Sequence, residues 1–254
     1  MKILGISAFY HDSAATLLVD GKIVASAQEE RFTRIKHDKS YPKESIKFCL
    51  DFCKLSIDDI DYVCFYEKPF KKFDRLIKTH ISFFPSGYRY FKESMIEWLS
   101  SKIFLKRQLL NELKKLSLNS NWKGKLVFSE HHLSHAASAF YPSPFERSAI
   151  LTIDGVGEWT TTSYGVGEGN NIEMFKEIHF PHSLGLLYSA FTSYLGFKVN
   201  SGEYKLMGLA AYGEPIYADL IKDNLVDIKD DGSFRLDMSY FGYGNSFQMT
   251  TKKF

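Results

Sequence analysis

Residues 2–28 read KILGISAFYHDSAATLLVDGKIVASAQ, and this stretch decides the fold. Its three runs rich in apolar and β-branched side chains, 2–9, 14–19 and 23–28, predict three β-strands. Asp20-Gly21 separates the second run from the third and is typical of a two-residue hairpin turn, because both central positions of that turn require positive φ. The stretch therefore predicts an antiparallel β-β-β unit at the start of the chain.

A second unit of the same kind is predicted near the middle of the chain. Residues 149–154 (AILTID) match the first strand, 160–166 match the second, and 172–176 match the third after a turn at 167–171. Two β-β-β units, each followed by helical sequence, predict a duplicated fold with a ligand cleft between its halves. Actin-like and sugar-kinase-like folds are built in this way.

The sequence between the two units predicts mainly helices. Apolar side chains at helical spacing predict a helix over residues 42–54, and 62–66 predicts a strand. Residues 70–118 are mostly helical in pattern, with an interruption near 85–87. We therefore expect an α/β, actin-like (ribonuclease H-like) fold. Its first subdomain, with a helical insertion, spans 1–148, and its second, incomplete subdomain spans 149–254.

Composition and net charge argue against several classes of protein for this sequence, among them nucleic-acid-binding and membrane proteins. A net charge of +2 over 254 residues predicts no nucleic-acid partner. The longest apolar stretch, 184–197, is shorter than the ~20 residues that a membrane span requires, so no membrane association is expected. The start of the chain lacks the pattern of a signal peptide, and its three cysteines form no paired framework. We expect a cytoplasmic protein, and a homodimer is left open.

The stretch 130–137 (EHHLSHAA) predicts a helix with His131 and His135 one turn apart. Neutral imidazoles at that separation can bind one divalent ion. His132 is expected to point away from this pair, as a supporting or surface group. The predicted core-facing residues are Leu133, Ala136, Ala137 and Phe140. The alternative is a hydrogen-bonded helix face near a cleft.

Asp154 ends a buried strand, where a carboxylate is costly unless a cation or donors meet it. Gly155 and Gly157 follow, and they allow a turn with exposed N–H groups that suits phosphate oxygens. A plain hairpin is the alternative. Two histidines and one aspartate together would form a site with open positions, suited to Fe(II) or another borderline ion.

Two further segments carry weaker signals. His11 lies in the first hairpin, at the position that the repeat equates with Gly157-Glu158, so it should face the cleft from the other half. Lys36 lies in a basic run, 31–37, which could stabilise negative charge or form a solvated loop. Residues 201–213 (SGEYKLMGLAAYG) place glycines around a short helical run, which allows close approach to a ligand.

Together, these motifs resemble the family of nodulation protein U and the antibiotic-biosynthesis O-carbamoyltransferases. Five stretches match in family order and span essentially the whole chain. They are GISAFYHDSAATLLVDGKIVASAQEERFTRIKHD (5–38), EHHLSHAASAFYPSPF (130–145), TIDGVGEWTTTSYG (152–165), FPHSLGLLYSAFTSYLGF (180–197) and SGEYKLMGLAAYG (201–213). The chain reaches about the first half of a full-length member, so we expect a truncated second subdomain and no activating domain.

The resemblance implies that carbamoyl phosphate and ATP form carbamoyl adenylate in a C-terminal domain. The N-terminal domain then passes the carbamoyl group to the hydroxyl of a small-molecule acceptor in secondary-metabolite or glycan biosynthesis. It also implies site residues. Iron or another divalent metal would bind at His131, His135 and Asp154, with a further aspartate beyond residue 254. Transfer would use His11 and Lys36, and nucleotide contacts are expected around Gly155, Gly157, Gly185, Gly202 and Glu203.

Three other functions remain open at this point. A threonylcarbamoyl-transferring tRNA modification enzyme of the same fold would share the histidine pair. An actin-like ATPase or sugar kinase would use Asp154-Gly155 for phosphate and Mg²⁺ but would leave the histidine pair unexplained. A truncated, non-catalytic module that binds metal or nucleotide is the third.

Overall fold

A computed structural model describes residues 1–100, 102–117 and 122–254. They form two compact units. Unit 1 contains Met1–Lys68 and the described residues of 101–131, and unit 2 contains Pro69–Ser100 and His132–Phe254. The packing thus places 132–148 with the second sheet. The subdomain boundary after residue 148, which the repeat of the β-β-β unit predicts, stays a prediction.

The strands of the two units are β1 (Lys2–Ser7), β2 (Ala14–Val19), β3 (Lys22–Gln28), β4 (Tyr62–Phe65), β5 (Lys125–Phe128), β6 (Arg147–Ile153), β7 (Thr160–Glu168), β8 (Asn171–His179), β9 (Val226–Ile228) and β10 (Phe234–Leu236). The α-helices are α1 (Glu30–Thr33), α2 (Lys43–Phe52), α3 (Pro69–Phe83), α4 (Tyr88–Ser100), α5 (Leu105–Leu116), α6 (His131–Phe140), α7 (Leu184–Tyr194), α8 (Glu203–Ala210) and α9 (Ala218–Leu225). Short 3-10 turns occupy Ile57–Asp59 and Lys102–Phe104.

The sheet of unit 1 has the strand order β3-β2-β1-β4-β5. β1, β2 and β3 pair antiparallel, and β4 and β5 run parallel to β1. The predicted β-β-β unit is confirmed, and this strand order is that of the ribonuclease H-like, actin-like fold. The predicted hairpin turn is also confirmed, because Asp20 and Gly21 have φ of 50° and 80°.

The core of unit 1 lies between this sheet and helices α2 and α5. Alternate residues of β1, Leu4 and Ile6, are buried, as a half-buried strand requires. Helix α5 buries Leu105, Leu109 and Leu113, which recur every four residues along one face. All five side chains belong to one apolar cluster.

Unit 2 contains an antiparallel sheet in the order β6-β7-β8. The second predicted β-β-β unit is therefore confirmed, and among the described residues this sheet has three strands, fewer than the first. The turn between β7 and β8 is shorter than the predicted 167–171, because pairing continues to Glu168 opposite Asn171. Gly169 has a φ of 56° and lies in this turn.

The predicted helical stretch 70–118 is observed as α3, α4 and α5, with the break after Phe83 that Pro85-Ser86-Gly87 predicted. Two positions of that stretch, Ser101 and Leu118, lie outside the described residues. Across the described ranges, no helix combines the length and the apolarity needed to cross a membrane.

Candidate metal centre and transfer residues

Helix α6 carries the histidine motif and buries a different face from the one predicted. Its buried residues are His132, Ala136 and Phe140, which are spaced four apart. Ala136 and Phe140 agree with the prediction, but Leu133 is exposed and Ala137 is only half-buried. His132, predicted as a supporting or surface group that points away from the histidine pair, is buried, and its imidazole finds hydrogen-bond partners in the core.

Those partners are hydroxyl groups on two strands of unit 2. The Nδ1 atom of His132 lies 2.7 Å from the Oγ1 atom of Thr152 on β6 and 2.8 Å from the Oγ atom of Ser163 on β7. The two hydroxyl oxygens are 2.6 Å apart. A buried network of this kind lowers the cost of a polar ring in the core and fixes the side chains that share it. It therefore fixes α6 on the sheet.

The structure brings the three predicted metal ligands together. His131, His135 and Asp154 each offer a ligand atom, and these atoms lie within 4.8 Å of one another. His131 is the last residue of unit 1, but it begins helix α6, so the helix itself sets its spacing from His135. His135 and Asp154 both belong to unit 2.

The His135–Asp154 separation fits a shared ion. The Nε2 atom of His135 is 3.8 Å from the Oδ2 atom of Asp154, which is too long for a hydrogen bond. Two donor atoms that each bind one ion at about 2.1 Å lie roughly 3–4 Å apart. Imidazole and carboxylate are also ligands that Fe(II) and Zn(II) accept. The residues present therefore fit a divalent metal.

Glu67 is a neighbour of His131 that the sequence analysis missed. Its Oε2 atom lies 3.5 Å from the Nδ1 atom of His131, and both side chains are mostly buried. Carboxylates that contact the non-coordinating nitrogen of a metal-bound histidine orient the ring. Glu67 closely follows the buried strand β4, which is the same signal that singled out Asp154.

The loop after β6 uses its backbone N–H groups internally. The Gly155 N–H donates to the Asp154 carboxylate (2.7 Å), and the Gly157 N–H donates to the Thr160 carbonyl (3.2 Å). The expectation that these N–H groups are exposed was therefore wrong, because the Asp154 side chain folds back onto its own turn. The Gly157 carbonyl also accepts a hydrogen bond from Arg75 on α3 at 3.0 Å. Nucleotide contact at these glycines stays a prediction.

Helix α7 begins directly against the Asp154 backbone. The N-cap residue that precedes it, Ser183, is fully buried, and its hydroxyl Oγ atom lies 3.0 Å from the Asp154 carbonyl oxygen and 2.7 Å from that of Gly155. A Cβ atom added at Gly185 would lie 2.7 Å from the Asp154 carbonyl oxygen and from the Gly155 nitrogen. Gly185 is therefore required for this close approach, which holds Asp154 in place.

Gly185→Ala should lower the free energy of unfolding by about 1–3 kcal/mol, since overpacking displaces backbone. Its metal affinity should fall as well, because the displaced backbone carries Asp154. Gly208→Ala is the matched control, since a Cβ atom there meets nothing within 4 Å. Denaturant unfolding and metal titration of both variants measure the effects. Equal stability of the two variants would contradict the packing argument.

Glu203 forms a local cap in the structure. Its carboxylate accepts hydrogen bonds from the N–H groups of Asn200 (2.9 Å) and Gly202 (3.1 Å), and from the Ser189 hydroxyl of α7 (3.0 Å). Burial raises the pKa of this carboxyl, but these hydrogen bonds outweigh it and hold the pKa below its ordinary value of 4.5. Glu203 thus ties α8 to α7, and its predicted nucleotide contact stays a prediction.

Glu203→Gln should reduce stability at neutral pH, and the deficit should shrink in acid. Because the folded-state pKa is lowered, the carboxylate stabilises the protein above pH 4.5 and loses this effect as pH falls through the lowered pKa. Urea unfolding of wild type and variant at pH 7 and pH 3.5 measures the difference. A deficit that is the same at both pH values would contradict this assignment.

The predicted transfer residues both lie in loops of unit 1. His11 is half-exposed, and its Nδ1 atom lies 2.7 Å from the Oδ2 atom of Asp12. Lys36 is exposed, as are Arg31 and Arg34 in the same basic run. The Phe9 N–H donates to the Lys39 carbonyl (2.9 Å), which joins the two loops.

Comparison with known proteins shows the family to which the chain belongs. The family described as carbamoyltransferase N-terminus matches residues 2–254, so the chain belongs to that family. The uncharacterized protein sll1178 of Synechocystis sp. is 58% identical over 99% of this chain and 41% of its own length. The nodulation protein NolNO of Sinorhizobium fredii is 34% identical over 93% of this chain and 33% of its own length. The chain thus spans about two fifths of the length of the first relative and one third of the length of the second.

Among solved structures, YeaZ from Pseudomonas aeruginosa matches 71% of this chain and 69% of its own, with 12% identity and a TM-score of 0.36. The strand order of unit 1 and the three-stranded sheet of unit 2 define the fold.

Proposed function

We propose that this chain is the transfer domain of an O-carbamoyltransferase. It moves a carbamoyl group from carbamoyl adenylate to the hydroxyl of a small-molecule acceptor. Family membership over residues 2–254 supports carbamoyl transfer as the reaction class. The observation that carries the proposal is the grouping of His131, His135 and Asp154, which are the metal ligands that the family resemblance implies.

The transfer step requires a base and a group that stabilises negative charge. The acceptor oxygen attacks the carbamoyl carbon, and its proton passes to the Nε2 atom of His11. The bond between the carbamoyl carbon and the phosphate oxygen breaks, and AMP leaves. Imidazole suits the proton transfer because its unperturbed pKa lies near neutrality. The Lys36 ammonium stabilises the charge that develops on the carbamoyl oxygen.

The metal ligands have a separate role in this proposal. His131, His135 and Asp154 would hold Fe(II) or another borderline divalent ion, with Glu67 orienting His131. Such an ion would supply positive charge to neutralise the phosphate of the leaving group. The proposal assigns no residue of this chain to forming the donor from ATP and carbamoyl phosphate.

The test supplies preformed carbamoyl adenylate to the metal-loaded chain, with a panel of sugars and other alcohols. AMP release, followed by chromatography, should rise above its hydrolytic background when a suitable hydroxyl acceptor is added. AMP release that no hydroxyl compound accelerates, under conditions where the chain is folded and holds metal, would contradict the proposal.

A further inference from the structure

A carboxylate lies between two imidazoles in the loops of unit 1. The Asp12 Oδ2 atom is 2.7 Å from the His11 Nδ1 atom, and the Asp12 Oδ1 atom is 3.0 Å from the His37 Nδ1 atom. About one third of the Asp12 and His37 side chains is exposed. Each oxygen of the Asp12 carboxylate therefore contacts one imidazole ring.

The two loops that carry this group are joined by backbone hydrogen bonds. The Phe9 and Ser13 N–H groups donate to the carbonyls of Lys39 and Asp38, at 2.9 and 2.8 Å. Asp12 and His37 both have left-handed backbone conformations, with φ of 48° and 56°, which non-glycine residues adopt rarely. The contacts between the loops therefore hold the three side chains in a defined arrangement.

The protonation states follow from the surroundings. Burial raises the pKa of Asp12, but hydrogen bonds from His37 and His11 outweigh it and lower that pKa. Asp12 is thus ionised at neutral pH and can only accept, so both rings must donate from Nδ1. For His37 this agrees with its buried Nε2 atom, which meets no hydrogen-bond partner among the described residues. A neutral His11 ring that donates from Nδ1 carries its lone pair on Nε2.

We infer that Asp12 is a positioning residue that holds His11 in the tautomer with a basic Nε2, and that His37 holds Asp12 in turn. The inference rests on the proposed function, in which the His11 Nε2 atom takes the proton of the acceptor hydroxyl. A free imidazole divides its proton between two nitrogens and rotates, whereas an imidazole hydrogen-bonded to an oriented carboxylate does neither.

Asp12→Asn tests this assignment in the 254-residue chain. Asparagine keeps the shape of the side chain and tolerates the left-handed backbone, but its amide cannot accept from both rings. Nitrogen-15 NMR of the imidazoles should show that His11 loses most of its Nδ1–H tautomer. The transfer kcat should fall about 10- to 100-fold, a part of the usual effect of a general base, with a smaller change in KM. His37→Ala should also reduce the Nδ1–H tautomer of His11 and the transfer kcat.

Asp20→Asn is the matched control. Asp20 also occupies a left-handed turn position, with φ of 50°, and its carboxylate contacts the chain's amino terminus. This variant should leave the His11 tautomer and kcat unchanged. If Asp20→Asn shifts the His11 tautomer as much as Asp12→Asn does, the inference is overturned.

The outcomes separate this inference from the proposed function. Absence of transfer by wild type would reject the function, while the NMR spectra would still decide the role of Asp12. A wild-type His11 tautomer in Asp12→Asn would reject the inference even if transfer occurs. A divalent ion bound by Asp12, Glu30 and His37 would also reject the inference. The ligand atoms of these three residues lie within 4.8 Å of one another. Metal-dependent shifts of the His37 ring would reveal it.

Discussion

His135→Ala should lower the affinity of the chain for a divalent ion by more than about 100-fold. Loss of a group that merely orients a ligand already costs 10- to 100-fold, and His135 is proposed as a ligand itself. His131→Ala and Asp154→Ala should have effects of similar size. Isothermal titration of the metal-free variants with Fe(II) or Zn(II) measures the affinities.

Two other histidines control for general effects. His179→Ala removes an exposed ring of β8 that contacts Glu177, so it should leave metal affinity unchanged. His132→Ala should lower stability by about 1–3 kcal/mol, since it removes the buried ring that hydrogen-bonds to both Thr152 and Ser163. Its loss of metal affinity should be smaller than that of His135→Ala. Equal losses in all the histidine variants would mean that the ligands are misassigned.

His11→Ala should slow carbamoyl transfer by about 10²–10⁴-fold, the usual contribution of a general base. Metal binding should not change, because no proposed ligand is altered. Lys36→Ala should also slow transfer, and Lys39→Ala is its matched control, since Lys39 is an exposed lysine in the same loop. Single-turnover rates with preformed carbamoyl adenylate measure these effects. Wild-type rates in His11→Ala would exclude it as the base.

Much of the fold could be predicted because local pattern decides it. Strands β1 and β2 show alternating burial, and Asp20-Gly21 meets the conformational demands of the hairpin turn between β2 and β3. The histidine pair was predictable for a similar reason. Helical spacing alone places His131 and His135 one turn apart.

The supporting residues of the candidate site could not be predicted, because they depend on partners distant in sequence. His132 is a core residue only because Thr152 and Ser163 supply hydroxyl groups beneath α6. Ser183 bonds to carbonyls nearly thirty residues earlier in the chain. A single sequence shows which side chains need partners and leaves open which partners they find.

The most direct test of the central claim follows the carbamoyl carbon itself. Carbamoyl adenylate labelled with carbon-13 would be supplied with a mixture of alcohols and, in a parallel reaction, with tRNA and threonine. The account predicts that the label enters an O-carbamate of an alcohol, identified by its carbon chemical shift, and that His11→Ala suppresses this product. Label that enters only a carbamoylated nitrogen of threonine or tRNA, with none in an O-carbamate, would contradict it.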